Sequence, residues 1–131
     1  MNARLRQQVC DRADDVCEYC FLPQKYSRLP HEVDHIRARK HRGVSELSNL
    51  CWACAHCNAN KGCNTMGYDP DTDILTELYN PRTDEWKKHF KWNGALLVGK
   101  TLTGRTTIDV LRINATNRVL HRELLMAEGF M

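Results

Sequence analysis

The feature that most constrains this chain is a pair of short cysteine turns, Cys17-Glu18-Tyr19-Cys20 and Cys54-Ala55-His56-Cys57. Two cysteines two residues apart present both thiolates on one side of a turn, which is the bite of a tetrahedral zinc ion. The pairs are 33 residues apart, longer than the roughly 15 to 20 of common zinc ribbons. A metal joining them would therefore close a large loop at its base and add folding free energy. Four protein ligands leave no open position, so this zinc is expected to be structural. His56 lies inside the second turn, where it could in principle replace a Cys. Cys51 and Cys63 flank that turn, and spacing alone does not choose among clustered thiols. Cys10 sits beside an apolar stripe and reads as a small core residue.

The seven cysteines are odd in number, and four of them form two Cys-x-x-Cys pairs, an arrangement that argues for metal and against a secreted disulfide framework. At 131 residues, with no long polar or Pro/Gly-rich linker, one domain over 1–131 is expected. No apolar run approaches the roughly 20 residues of a membrane helix, and the first ten residues lack the apolar core of a secretory signal. A cytoplasmic protein is the expectation. The net charge is only +3, but residues 25–62 hold seven Lys/Arg against three acids. Phosphate is the natural partner of such a segment, with a solvated basic face as the plainer reading.

Leu5, Val9, Ala13 and Val16 recur at helical spacing, predicting an amphipathic helix over 3–16. Pro23 and Pro30 exclude a helix before the alternating run at 32–36, which reads as a strand. Residues 37–48 read as an exposed loop, 49–52 as a second strand and 55–61 as a short helix stopped by Gly62. Further on, the pattern predicts a strand over 74–79, a helix over 84–90, a hairpin turn at 92–95, and helices over 106–113 and 115–127 with Asn114 as a cap between them. Leu120, Leu124 and Ala127 give the last helix an apolar stripe, leaving Arg118, His121 and Arg122 for solvent or DNA. Trp86, Phe90 and Trp92 read as core aromatics, and His89 as a structural hydrogen-bonding residue.

Asp34-His35, Asn49 in Ser-Asn-Leu fourteen residues later, and Asn58 in Cys-Asn-x-x-Lys-Gly together resemble the HNH endonuclease motif, in its zinc-stabilised form with two Cys-x-x-Cys pairs. Position 58 is Asn where the family name has His; Asn at this place also occurs in the family. The tail resembles small stand-alone HNH proteins more loosely, through Trp86-x-x-His89-Phe90-x-Trp92 and Gly104-Arg105. The resemblance implies an α+β fold: a zinc-bound ββα-metal (HNH, His-Me finger) core over about 17–62, a helical N-terminus, and an α/β C-terminal extension over about 63–131.

It also implies a function, a divalent-metal-dependent endonuclease acting on double-stranded DNA. His35, whose ordinary pKa is near 6.5, suits the general base that deprotonates water. Asp34 and the Asn58 side-chain oxygen would be hard ligands for a catalytic Mg²⁺, and Asn49 would fix the loop and orient His35. Asp34 and His35 are neighbours in a strand, so both reach one site only at a strand end. Arg37, Arg39, Lys40, Arg42 and Lys61 would contact the nucleic-acid backbone, His31 and His41 being peripheral. The alternative is a non-catalytic zinc module that binds nucleic acid through the same patch, for which the Asp34/His35/Asn49/Asn58 set would be unnecessary. A thiol redox protein would need a surrounding βαβ pattern, which is absent.

Overall fold

A computed structural model describes residues 1–131, and the chain divides into two compact units, 1–64 and 65–131. No helix is long and apolar enough to cross a membrane.

The first unit opens with α1 (Ala3–Arg12), capped by the Asn2 side chain accepting from the Leu5 N–H at 2.8 Å. The expected continuation to residue 16 does not occur. Asp14 and Asp15 take positive φ of 53° and 56°, a left-handed step that ends the helix and turns the chain into the first cysteine pair. Strands β1 (Glu32–His35) and β2 (Leu50–Ala53) pair antiparallel with Val33 opposite Trp52, Asp34 opposite Cys51 and His35 opposite Leu50. Helix α2 (Ala55–Lys61) follows β2 after one residue and stops at Gly62, which has φ of 53°. Val9, Leu50 and Trp52 form the core of this unit, with Leu5, Cys10, Ala13 and Val33 packed around them. Cys10 thus has the packing role expected of it. Arg6 lies over the Trp52 ring at 4.9 Å, and the indole N–H donates to Asp15 at 2.9 Å, so the buried indole has its polar edge satisfied.

The second unit is α+β as well. A hairpin of β3 (Met66–Tyr68) and β4 (Leu75–Glu77) is followed by the short α3 (Trp86–His89), a second hairpin of β5 (Phe90–Asn93) and β6 (Leu96–Gly99), then α4 (Leu102–Val110) and α5 (Thr116–Ala127). Trp86, Phe90 and Trp92 pack ring against ring at 5.2–6.1 Å, the role expected for them, and Tyr79 joins them edge-on to Phe90 at 5.3 Å. His89 Nδ1 lies 2.6 Å from the Thr101 hydroxyl, again a structural contact. Gly104 lets α4 press against the end of α3, since a Cβ there would fall 2.1 Å from the His89 carbonyl oxygen.

Three sequence expectations are corrected here. The helix expected at 106–113 begins at Leu102, because Thr101 supplies an N-cap by accepting from the Gly104 N–H at 3.0 Å. Asn114 caps nothing; it clamps β6, accepting from Leu97 N at 3.0 Å and donating to Leu97 O at 2.8 Å. The third concerns α5, which presents the face opposite to the one its leucines predict. Leu120 and Leu124 are exposed while Arg118 and Arg122 are buried. Arg118 donates to the carbonyls of Leu111 and Arg112 at the C-terminal end of α4, at 2.7 and 3.0 Å. A cation is favourable where unpaired helix carbonyls gather. Arg122 donates to Ala95 O at 2.9 Å and lies over Trp92. Neither arginine is available to DNA.

Candidate metal centre and active site

Cys17, Cys20, Cys54 and Cys57 are buried and their sulfurs lie within 4.8 Å of one another, with Cys20 and Cys54 at 3.8 Å. Four sulfurs about 2.3 Å from one zinc are separated by roughly 3.8 Å, so the cluster needs only a small contraction to hold the ion. Two local devices shape it. Phe21, with φ of 62°, closes the first turn by donating its N–H to Cys17 O at 2.9 Å. Cys54 caps α2, its sulfur accepting from the Cys57 N–H at 3.4 Å. Burial pushes the Cys17 and Cys57 thiols well above their ordinary pKa, whereas a hydrogen bond from Cys17 draws Cys54 down. A dry cluster of this kind cannot become four thiolates unless a cation supplies the compensating charge. The tetrad therefore fits a structural zinc. His56 is exposed, Cys63 is exposed, and Cys51 belongs to a different set of contacts.

His35 ends β1 half-buried, with Nε2 2.8 Å from the Ser45 hydroxyl. Burial, then the positive charge of Arg39, lowers its pKa below the ordinary 6.5, so the ring is neutral at physiological pH. Beyond it the chain makes a closed loop back to β2. Asn49 clasps the loop at both ends: its carbonyl oxygen accepts from Arg37 N at 2.9 Å, and its amide donates to Arg37 O at 3.0 Å and Val44 O at 2.9 Å. Gly43 permits the closure, since a Cβ there would lie 1.7 Å from Arg37 O. Arg37, Arg39, Lys40 and Arg42 are all exposed on this loop. Asn58 lies in the first turn of α2, half-buried; because Cys54 is the cap, its carboxamide is not used to start the helix.

Asp34 and Lys61 stand apart from the solvent-facing set. Asp34 is 3% exposed and its carboxylate accepts from the Tyr19 hydroxyl at 2.8 Å, from Lys61 Nζ at 3.2 Å and from Cys51 Sγ at 3.4 Å. Lys61, expected at a phosphate, is instead 2% exposed and spends its three donors on Asp34 Oδ1, His35 O at 3.1 Å and Ile36 O at 3.2 Å. His31 is also withdrawn, fully buried with Nε2 donating to Leu22 O at 2.8 Å. His41 stays on the exposed loop and its carbonyl accepts from Arg37 Nε at 2.7 Å.

A cysteine tetrad beside two antiparallel strands and a helix, with Asp34-His35 closing the first strand and Asn58 on the helix, is compatible with a zinc-bound ββα-metal core, and the family model HNH endonuclease matches residues 17–64. This segment is an HNH domain. Beyond it, the chain is 27% identical over 124 residues to the Septu protein PtuB of Bacillus thuringiensis, an alignment covering 93% of this chain and 46% of that protein. The chain thus spans about half the length of the curated relative it matches. No solved structure matches.

Two parts of the HNH domain lay beyond sequence reasoning. Ser45 gave no signal, being one small polar residue in a polar loop. Tyr19 carries no local signal either, because its hydroxyl partners Asp34 and Cys51 are 15 and 32 residues away in sequence and only the fold brings them to it.

Proposed function

We propose that this protein is a DNA endonuclease in which His35 is the general base that deprotonates the attacking water. The observation that supports this best is the His35 ring itself: it is half-buried at a strand end, its Nε2 is engaged by Ser45, and its pKa is lowered. The Ser45 contact orients the ring through Nε2; in the tautomer with Nε2–H donating to that hydroxyl, Nδ1 carries the lone pair, and a neutral imidazole so oriented is suited to take a proton near neutral pH. Asn49 holds the loop that carries Ser45, so the orientation of the base depends on the clasp. Arg37, Arg39, Lys40 and Arg42 extend from the same loop into solvent. They would bind the phosphates on either side of the scissile bond, an affinity that is independent of sequence and falls with salt.

HNH nucleases use divalent metals, and Mg²⁺ is the ion proposed here. The Asn58 carboxamide oxygen, on a half-buried residue in the first turn of α2, is a hard donor that fits such an ion. When bound, the ion would neutralise charge on the scissile phosphate and the leaving oxygen. The surroundings of Asp34 do not fit a metal ligand. Its carboxylate is buried and already carries a cation, and Mg²⁺ keeps most of its water shell. Double-stranded DNA is the proposed substrate.

Supercoiled plasmid incubated with the purified protein tests the reading. Conversion to open-circular or linear DNA with Mg²⁺, and none with chelator, is expected. Zinc-loaded protein that binds plasmid but leaves it supercoiled with Mg²⁺, Mn²⁺ or Ca²⁺ would favour a binding module.

A further inference from the structure

The sequence motif offers Asp34 as half of a metal site, but its contacts describe another role. Its two oxygens have about four lone-pair directions, and three are taken by Tyr19, Cys51 and Lys61. A divalent ion on the remaining direction of Oδ1 would sit beside the Lys61 ammonium, 3.2 Å from that oxygen. Two cations so close in a site with 3% and 2% side-chain exposure repel strongly and leave no room for metal-bound water.

The same ammonium reaches the backbone carbonyls of His35 and Ile36 at 3.1 and 3.2 Å. It comes from the last residue of α2, while Tyr19, on the other side of Asp34, comes from the first cysteine turn. A continuous chain of polar contacts therefore runs from the zinc turn through Tyr19, Asp34 and Lys61 to the backbone of the base. We infer that Asp34 and Lys61 are a buried positioning strut for the His35 end of β1, and that Asp34 is not a ligand of the catalytic cation. Lys61 likewise makes no contact with DNA. A buried ion pair of this kind is costly to break one partner at a time and much less costly to remove whole, because a single deletion leaves an uncompensated charge.

The inference rests on the nuclease reading only for its kinetic arm. Zinc-loaded wild type, Asp34→Asn, Lys61→Met and the double variant are compared by three measurements. Electron paramagnetic resonance of free Mn²⁺ reads cation binding, and the isotherm of Asp34→Asn is expected within twofold of wild type. Urea unfolding reads the strut: Lys61→Met should lower the midpoint, and adding Asp34→Asn should recover a large part of that loss. Cleavage kinetics read positioning, with Lys61→Met reducing kcat at least tenfold while KM and the salt dependence of DNA binding stay within twofold. Mn²⁺ binding weakened tenfold or more in Asp34→Asn, or tightened in Lys61→Met, would overturn the inference. So would strictly additive urea midpoints, or a raised KM with a shallower salt slope in Lys61→Met. The first two measurements need no cleavage, so an inactive wild type would sink the nuclease reading alone.

Discussion

The Tyr19 hydroxyl donates a 2.8 Å hydrogen bond to Asp34, tying the first cysteine turn to the strand that ends in His35. Burial, with the nearby Cys51 and Asp34, pushes the pKa of this phenol well above its ordinary value, so it stays protonated, and a donor, at neutral pH. Tyr19→Phe keeps the ring, 1% exposed, and removes only the donor. The expected cost is about 1–3 kcal/mol, typical of a lost hydrogen bond to a buried charged group. Urea unfolding at constant zinc content measures it, and an unchanged midpoint would mean that the bond is not made in solution.

The tetrad is expected to hold one zinc per chain. Cys17→Ser should lose it and leave the first unit unfolded, since metal affinity and folding are one free energy in a site of this kind. Because the ligands must be thiolates, and burial raises Cys17 and Cys57, acidification should release zinc and stability together. Metal analysis of the folded protein and of Cys17→Ser checks both. A Cys17→Ser protein with wild-type circular dichroism and wild-type zinc would move the site elsewhere.

Asn49→Ala removes three hydrogen bonds that close the loop without touching the zinc. Loss of about 1–3 kcal/mol is expected, with a larger effect on kcat than on KM, since His35 would lose the support of Ser45. Hydrogen exchange at the Arg37 amide should accelerate in step. Wild-type exchange and kcat would show that the clasp is dispensable.

The pH profile follows from the direction of the His35 shift. Burial and Arg39 disfavour the charged ring, so the base form persists below the ordinary 6.5, and the acid limb of kcat/KM should lie below that pH. Arg39→Gln removes one of the lowering influences and should move the limb upward. The shift also has a stability sign: the folded state binds fewer protons than the unfolded chain, so this group contributes stability above about pH 6.5 that is lost as pH falls through its folded value. A limb above pH 6.5 in the wild type would contradict the assignment.

Much of the first unit was legible in the sequence because its determinants are local. Two Cys-x-x-Cys turns, an alternating run before His35 and Gly62 after a short helix each mark their element without reference to distant residues. The second unit was read less well for the opposite reason. In α5 the leucine spacing pointed one way and tertiary contacts the other: Arg118 and Arg122 are drawn inward by the α4 carbonyls and by Trp92, partners invisible to periodicity. Lys61 shows the same limit within the HNH domain. A lysine before a glycine at a helix end reads as solvent-facing, and only the fold brings Asp34 and two strand carbonyls to it.

The most direct test of the account is the single-turnover cleavage rate of His35→Ala on supercoiled plasmid, with zinc content and DNA affinity measured on the same sample. A general base acts only as the proton leaves water, so the rate should fall by about 10²- to 10⁴-fold while zinc and affinity stay at wild-type values. A His35→Ala protein that keeps its zinc and still cuts at the parental rate would contradict it.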